Sequence, residues 1–168
     1  MLNLEMLYKK NEAGITLCAV IFCFTVSLLL YVYMGLPRKT AVSDYEVIDS
    51  RSSLDKAEYT AGAIKLVGWF FVTNQDLRVQ MKKEVVIRNL TSGNSYSYPV
   101  QYLNRHDVTR SFMKAFPKAF QSDIYSRAGF MTQINTRFIE DGTYKIYIGY
   151  VYNNKKFISD LKREIVIK

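Results

Sequence analysis

The stretch Thr143-Tyr-Lys-Ile-Tyr-Ile-Gly-Tyr-Val-Tyr152 decides the fold class of most of the chain. Large apolar or aromatic side chains recur at every second position, namely Tyr144, Ile146, Ile148, Tyr150 and Tyr152. A period of two is the period of a β-strand that buries one face. Asp141-Gly142 before the stretch and Asn153-Asn154 after it are the residue types that β-turns require. The stretch therefore predicts a long strand of an antiparallel sheet.

Shorter β patterns, separated by turn residues, lie on both sides of this strand. They cover residues 63–72, 83–88, 95–99, 128–134, 157–159 and 164–168. Gly68, beside the bulky Trp69, allows a bulge or a close approach of two backbones. Seven or eight short strands are typical of an all-β antiparallel sandwich, Ig-like or jelly-roll-like. We predict this sandwich domain over 63–168, after a polar stem over 35–62 that contains one short strand at Tyr45–Ser50.

One segment breaks the β pattern and predicts a short helical insertion. Between residues 107 and 120 the apolar side chains follow helical spacing, Asp107 or Thr109 can act as the N-cap, and Pro117 interrupts the helix. We expect the aromatic side chains of this segment to pack inward as core; they are Phe112, Phe116 and Phe120.

Nineteen consecutive residues near the N-terminus, 15–33, carry no formal charge. A helix of about 20 apolar residues crosses the hydrocarbon core of a bilayer, so the run predicts a single transmembrane helix over 15–34 after a short tail over 1–14. A cleaved signal peptide is the first alternative, but the run is longer than a signal h-region and no small-x-small cleavage site follows it. A buried core helix is the second, and the absence of a polar face argues against it.

The orientation of the predicted helix rests on conflicting signals. Lys9 and Lys10 precede it, whereas four cations follow within about twenty residues, which by the positive-inside rule argues for a cytoplasmic C-terminus. A short N-terminal tail before a signal-anchor argues for the reverse. Cys18 and Cys23 both lie in the run, so the domain after it needs no disulfide. We expect a single-pass protein of the cell membrane, with a cytoplasmic N-terminus and an extracytoplasmic C-terminal domain.

The positive charge of the chain points to anionic partners. The part after residue 37 carries the whole net charge of +8, because two lysines and two glutamates cancel before it. A basic surface of this kind suits anionic lipid head groups of a membrane bilayer or an anionic polysaccharide. A solvated surface without a charged partner explains it equally well. The sequence contains no nucleic-acid recognition motif, so no nucleic-acid partner is expected.

The residue types for catalysis are scarce. His106 is the one histidine, no cysteine follows Cys23, and no Gly-x-Ser-x-Gly elbow occurs. We therefore expect no enzyme, no catalytic residue, no metal ligand and no cofactor. Asp107 is expected to accept backbone N–H groups where the chain enters the helical segment. Arg105 can pair either with Asp107 or with an anionic ligand.

Four sequence pieces occur in an order that resembles a known module. They are Gly68-Trp69-Phe70, Arg105-His106-Asp107-Val108, Ala128-Gly129-Phe130 and Asp141-Gly142-Thr143-Tyr144-Lys145-Ile146. Together they resemble a small β-sandwich module that accompanies bacterial cell-surface polysaccharide and teichoic-acid-type glycosyltransferases. The resemblance covers Tyr45 to Lys168, with Ala128 where serine is usual and without an attached glycosyltransferase domain. It implies an accessory role in envelope glycan assembly or surface attachment, and it identifies no catalytic residue.

Two functions of different classes follow. The first is an accessory protein of envelope polysaccharide assembly that docks onto a membrane protein or a glycosyltransferase. The second is a glycan-binding module for an anionic surface polysaccharide, in which aromatic rings stack on sugars. The candidate binding residues are Trp69, Tyr96, Tyr98, Tyr102, Arg105, Tyr147 and Tyr152, and the candidate structural residues are Gly68, Asp107, Gly129, Asp141 and Gly142. Strand propensity alone accounts for most of the thirteen tyrosines.

Overall fold

The computed structural model describes residues 2–48, 50–72, 82–115 and 126–168, and the side chains of these except 2–13, 31–35, 113–115 and 126. The chain forms two compact units, Met1–Gly35 and Leu36–Lys168. We describe each unit by itself.

The first unit is the helix α1, Leu2–Gly35. The Thr25 hydroxyl donates a hydrogen bond of 2.8 Å to the Ile21 carbonyl, as expected of a hydroxyl within a helix. In the part of the chain that the structure describes, no helix combines the length and the apolar character needed to cross a membrane. The predicted transmembrane helix over 15–34, and the single-pass arrangement with it, are therefore wrong.

The second unit is built of strands in two sheets. In chain order these strands are β1 Arg38–Thr40, β2 Glu46–Val47, β3 Arg51–Thr60, β4 Ala63–Phe71, β5 Lys82–Asn89, β6 Ser95–Pro99, β7 Gln101–Leu103, β8 Gly129–Asn135, β9 Gly142–Tyr152 and β10 Lys155–Ile167. The larger sheet has the order β1-β6-β5-β9-β10-β2, and the smaller sheet has the order β3-β4-β8-β7. The recorded strand pairs are antiparallel except β10 with β2, which run parallel.

The strand order has the pattern of an immunoglobulin-like sandwich. The smaller sheet, β3-β4-β8-β7, reproduces the A-B-E-D order, and the run β6-β5-β9-β10 of the larger sheet reproduces the C′-C-F-G order. The β-rich part of the predicted fold is consistent with this structure. The additional strands β1 and β2 extend the two edges of the larger sheet.

The core lies between the two sheets, and β9 contributes its centre. The side chains that alternate along β9, from Tyr144 to Tyr150, are fully buried. The smaller sheet contributes Leu66, Phe70 and Phe130, which are also fully buried. Burial of each such side chain stabilises the fold by about 1.5–3 kcal/mol. The period of two in the sequence thus identified the buried face of β9 correctly.

Two glycines allow neighbouring chain segments to approach closely. A Cβ atom on Gly68 would collide with the Ser53 carbonyl oxygen and would lie 2.8 Å from the Phe130 ring. A Cβ atom on Gly129 would lie 2.6 Å from the Leu103 carbonyl oxygen. Both positions therefore require glycine for steric reasons.

The β unit begins earlier in the chain than expected. Residues 36–62, read from the sequence as a stem, belong to the second unit and contain β1, β2 and β3. The strand expected at Tyr45–Ser50 is limited to Glu46–Val47. Strands at sheet edges face solvent on more than one side, so their sequences are polar and lack the alternation that reveals a half-buried strand.

The C-terminal strand is longer than expected. Residues 157–159 and 164–168 were expected as separate strands, but they join in β10. A register shift lies between Asp160 and Glu164, and Lys162 within it has a positive φ of 52°. This bulge interrupts the alternation in the sequence, which explains why the pattern suggests two strands.

The helical insertion is α2, His106–Ala115. Phe112 packs edge-on against Phe71, with ring centroids 4.7 Å apart, and against Trp69 at 5.6 Å. Trp69 and Phe71 alternate with the core residue Phe70 along β4, so they lie on the outer face of the smaller sheet. Phe116 and Phe120, expected to pack beside Phe112, lie outside the described residues.

Candidate functional site

A short segment of the chain lies over the outer face of the larger sheet. It contains the 3-10 turn Val42–Asp44 and Tyr45, whose hydroxyl donates a hydrogen bond of 2.6 Å to the Glu84 carboxylate. Tyr45 forms a second buried cluster with Val86 and Ile158, against which Val42 and Tyr147 pack. This segment therefore covers part of the sheet face that points away from the core.

Beside this segment, a row of polar side chains crosses the larger sheet. Register pairs connect Thr40 with Ser95, Ser95 with Arg88, Arg88 with Lys145, and Lys145 with Glu164. Register partners share a face, and Arg88 is two residues from Val86 of the outer cluster, so the row lies on the outer face. Two hydroxyl groups, two cations and one carboxylate thus stand side by side across five strands.

A cleft of ≈ 260 Å³ opens at one end of this row. It is lined by residues from β1, the covering segment, the end of β5, the turn after β5 and the start of β6, namely Lys39, Thr40, Ala41, Val42, Ser43, Arg88, Gly93, Asn94, Ser95 and Tyr96. Neither Lys39 nor Arg88 forms an ion pair with any residue that the structure describes. The cleft therefore combines hydroxyl and amide groups with two cations that have no ion pair to a described residue.

One carboxylate lies close to the cleft and is already occupied. Glu140 accepts hydrogen bonds from the Ser92 hydroxyl and from the Asn94 amide, the latter at 3.0 Å. These bonds, with a smaller contribution from the charge of Lys39, lower the pKa of Glu140. The carboxylate is thus ionised and fixes the position of Asn94 at the cleft.

Tyr147 and Lys145 lie next to the cleft along the same face. The Lys145 ammonium is 2.8 Å from the Asp160 carboxylate and 5.7 Å from the centre of the Tyr147 ring. The hydrogen bond to Asp160 raises the pKa of Lys145, so the amine is charged. Tyr147 is half-buried and lies two residues from Lys145 on β9, on the same face of the sheet.

The other tyrosines of the larger sheet belong to the core. The Tyr98 ring is fully buried and the Tyr96 side chain is 8% exposed, so neither ring is accessible for stacking on a sugar. Burial raises the pKa of Tyr98. Tyr152 is half-buried and packs against the core at the end of β9. The sequence could not distinguish these rings from surface rings, because strand propensity places tyrosine on both faces.

Trp69 and Tyr102 lie on the smaller sheet and are not brought to the cleft. The Trp69 ring stacks on Phe71 with centroids 5.8 Å apart. Tyr102 is 47% exposed, and its hydroxyl accepts a hydrogen bond of 3.2 Å from the Lys83 backbone N–H. The predicted aromatic residues therefore do not converge on one sugar platform.

Arg105 is held by two carboxylates. Its guanidinium donates to Asp107 through Nε at 2.8 Å and through Nη2 at 2.7 Å, and it donates to Asp55 through Nη1. These contacts raise the pKa of Arg105 and lower that of Asp107. Of the two roles open to Arg105, the geometry favours pairing with Asp107. The guanidinium is neutralised where it lies, and Thr109 hydrogen-bonds to its carbonyl at the start of α2.

Lys83 is an unusual residue that the sequence did not reveal. Its side chain is 4% exposed, its ammonium donates a hydrogen bond of 2.9 Å to the Arg127 carbonyl, and it lies 5.4 Å from the centre of the Tyr102 ring. Burial lowers the pKa of Lys83 to about 8. The sequence Lys82-Lys83 suggests two surface cations, because only the register of β5 shows that Lys83 faces the core.

The turn residues Asp141 and Gly142 have structural contacts. The Asn89 amide donates a hydrogen bond of 3.4 Å to the Asp141 carbonyl, and a Cβ atom on Gly142 would meet the same amide at 2.6 Å. Among the described residues, no group of three or more possible metal ligands is assembled.

Comparison with known proteins finds no family model that matches the chain and no curated protein that matches it. The resemblance to the polysaccharide-associated module therefore stays a prediction.

Proposed function

We propose that the second unit is a non-catalytic binding module for an anionic polysaccharide, and that the chain is an accessory protein of bacterial cell-envelope polysaccharide assembly with this unit outside the cytoplasm. The observation that carries the proposal is the cleft, where Lys39 and Arg88 line one opening and have no ion pair with a described residue. The order of the four sequence pieces supplies the link to envelope glycans.

The chemistry of the cleft matches a sugar that carries a carboxylate or a phosphate. The planar guanidinium of Arg88 can donate two parallel hydrogen bonds to either oxyanion. Thr40, Ser43 and Asn94 can donate to and accept from sugar hydroxyl groups. The half-buried ring of Tyr147 offers an apolar face near the cations. A neutral glycan would leave both cations without a partner, so the site selects against it.

A second candidate function is docking onto a protein partner. The observation that favours it is β3, a ten-residue strand that lies at the edge of the smaller sheet. Such an edge can accept an added strand from another protein. However, β3 has a bulge between Leu54 and Lys56, and Asp55 in that bulge is engaged by Arg105. Bulges and charges are devices that oppose edge pairing, so the cleft is the better supported site.

The test is a titration of the full chain with polymers of defined charge. The probes are polygalacturonate, which carries carboxylates, polyglycerol phosphate, which carries phosphates, and neutral dextran. We expect binding of at least one polyanion, weaker binding at higher salt and no binding of dextran. The two polyanions distinguish a carboxylate site from a phosphate site.

The variants localise the binding to the cleft. Arg88→Gln is expected to weaken binding of the polyanion about tenfold or more, because hydrogen bonds to charged groups are worth about 1.5–3 kcal/mol. Lys65→Gln is the matched control, since Lys65 is an exposed cation on the smaller sheet and its replacement removes the same charge. Equal losses in the two variants, or equal binding of dextran, would overturn the proposal.

A further inference from the structure

Lys145 connects the cleft to a second groove on the same face of the larger sheet. This groove has a volume of ≈ 550 Å³ and is lined by Lys145, Asp160, Lys162, Arg163 and Glu164. Lys145 is also the register partner of Arg88, which lines the cleft. The groove therefore continues the row of charges that begins at the cleft.

The bulge of β10 builds the groove. The register of β10 against β9 shifts between Asp160 and Glu164, and the backbone N–H of Lys162 donates a hydrogen bond of 2.7 Å to the Asp160 carboxylate. Lys162 has a φ of 52°, a conformation that costs conformational energy for a residue with a side chain. The bulge leaves Lys162 and Arg163 exposed at the surface. The positive φ of Lys162 thus belongs to the geometry of the bulge.

The charges of the groove leave cations available. Lys145 and Asp160 neutralise each other at 2.8 Å. Lys162 and Arg163 form no ion pair with any residue that the structure describes. Lys39 and Arg88 thus line the cleft at one end of the row, and Lys162 and Arg163 line the groove at the other end, where Glu164 adds one carboxylate.

The row is as long as an extended ligand. It crosses from β1 to β10 through β6, β5 and β9, and neighbouring strands are separated by about 4.8 Å, so its ends lie roughly 19 Å apart. A single charged sugar cannot reach from Lys39 to Arg163. A polymer with a charge on every repeat unit can contact both ends at once.

We propose that the cleft and the groove form one extended site, which binds a polyanionic chain laid across the strands with its charged units on successive cations. This proposal rests on the proposed function, since it assigns a second set of contacts to the same polysaccharide. It names Lys162 and Arg163 as binding residues, and it assigns to the β10 bulge the role of presenting them.

The test compares short and long oligomers on the full chain. Digalacturonate is too short to span the row, and decagalacturonate is long enough. We expect the decamer to bind the wild type about tenfold more tightly than the dimer, because the second contact is intramolecular once the first has formed. We expect the double variant Lys162→Gln/Arg163→Gln to lose about fivefold in affinity for the decamer and to bind the dimer as the wild type does. Arg163→Gln alone is expected to show the same selectivity with a smaller loss.

The control variant tests whether the position of the two cations matters or only the loss of two positive charges. Lys65→Gln/Arg110→Gln removes two exposed cations elsewhere on the unit and is expected to leave the affinities for both oligomers unchanged. A decamer could also bind more tightly than a dimer only because it offers more registers in which to bind. An increase in affinity from this cause would persist in Lys162→Gln/Arg163→Gln. Persistence of the whole gain in that variant would therefore overturn the extended site.

Failure of the extended site and failure of the proposed function give different results. If the dimer and the decamer bind equally and Arg88→Gln still abolishes both, the cleft stands and the extended site is wrong. If neither galacturonate oligomer binds, and a polyglycerol phosphate of matched length also fails to bind, the proposed function is wrong and the extended site falls with it.

Discussion

Arg88 on β5 and Lys145 on β9 are direct register partners on the outer face of the larger sheet. Like charges directly opposite each other on neighbouring strands are destabilising. Lys145 is compensated by Asp160, whereas Arg88 has no ion pair with a described residue. The sheet therefore places two cations side by side, and only Lys145 has a carboxylate partner among the described residues.

Arg88→Gln is expected to separate stability from binding. Removal of the repulsion with Lys145 leaves the free energy of unfolding unchanged or raises it by up to about 0.5 kcal/mol, while binding of a polyanion falls. Urea unfolding at low salt, with Lys65→Gln beside it, measures the first effect. A loss of stability larger than that of Lys65→Gln would contradict the interpretation and would give Arg88 a structural role.

Much of the β architecture could be predicted from local sequence. Strands β4, β5, β6, β8 and β9 carry period-two patterns between turn residues, and these patterns lie within two residues of the observed bounds. The edge strands β1 and β3 were missed because they are polar. The transmembrane helix was predicted from a charge-free apolar run of suitable length, and the structure does not support it.

The candidate site could not be predicted in the same way. The cleft joins Lys39 of β1 to Arg88 of β5 and to the start of β6, so it depends on which strands are neighbours. Tyr98 was a candidate because it is aromatic, but the side to which its ring points is fixed by pairing with β5. Local patterns report the period of a strand, whereas a surface site needs the register between strands.

Gly68→Ala is expected to destabilise the sandwich through a steric clash. The new methyl group would collide with the Ser53 carbonyl and the Phe130 ring, and the backbone of β3 cannot move away without loss of its pairing with β4. We expect a loss of about 1–3 kcal/mol or more in the free energy of unfolding. Gly93→Ala is the comparison, because the space around Gly93 is open and only its positive φ of 77° opposes a side chain. A smaller loss for Gly68→Ala than for Gly93→Ala would contradict the close approach.

Lys83 is expected to make stability rise with pH. Its pKa is about 8 in the folded protein and 10.5 in the reference state, so the unfolded chain binds more protons between these values. The free energy of unfolding therefore rises by up to about 3 kcal/mol as the pH increases from 8 toward 10.5. The measurement is the free energy of unfolding of the wild type relative to Lys83→Met between pH 7 and 10.

Other groups, including tyrosines, titrate in both the wild type and Lys83→Met. Their contributions therefore cancel in the difference between the two free energies of unfolding. Lys83→Met also loses the hydrogen bond to the Arg127 carbonyl, but this cost does not change with pH. Lys82→Met, at the exposed neighbouring position, is expected to show no such trend. A difference that stays constant from pH 7 to 10 would show that the Lys83 amine is not buried as described.

Tyr45→Phe is expected to affect stability and binding together, because Tyr45 anchors the segment that forms one wall of the cleft. Its hydroxyl donates to Glu84 at 2.6 Å and lies 3.2 Å from the Thr40 hydroxyl, and Thr40 lines the cleft. Loss of a hydrogen bond to a charged group costs about 1.5–3 kcal/mol of the free energy of unfolding. Tyr59→Phe is the matched control, since Tyr59 is 59% exposed on β3 and its change is expected to stay within about 0.5 kcal/mol.

If Tyr45→Phe lowers stability but leaves binding of polygalacturonate unchanged, the covering segment is structural and the ligand contacts belong to β5 and β6. If both fall, the same hydrogen bond that holds the segment on the sheet also shapes the cleft, which is the arrangement that the geometry favours.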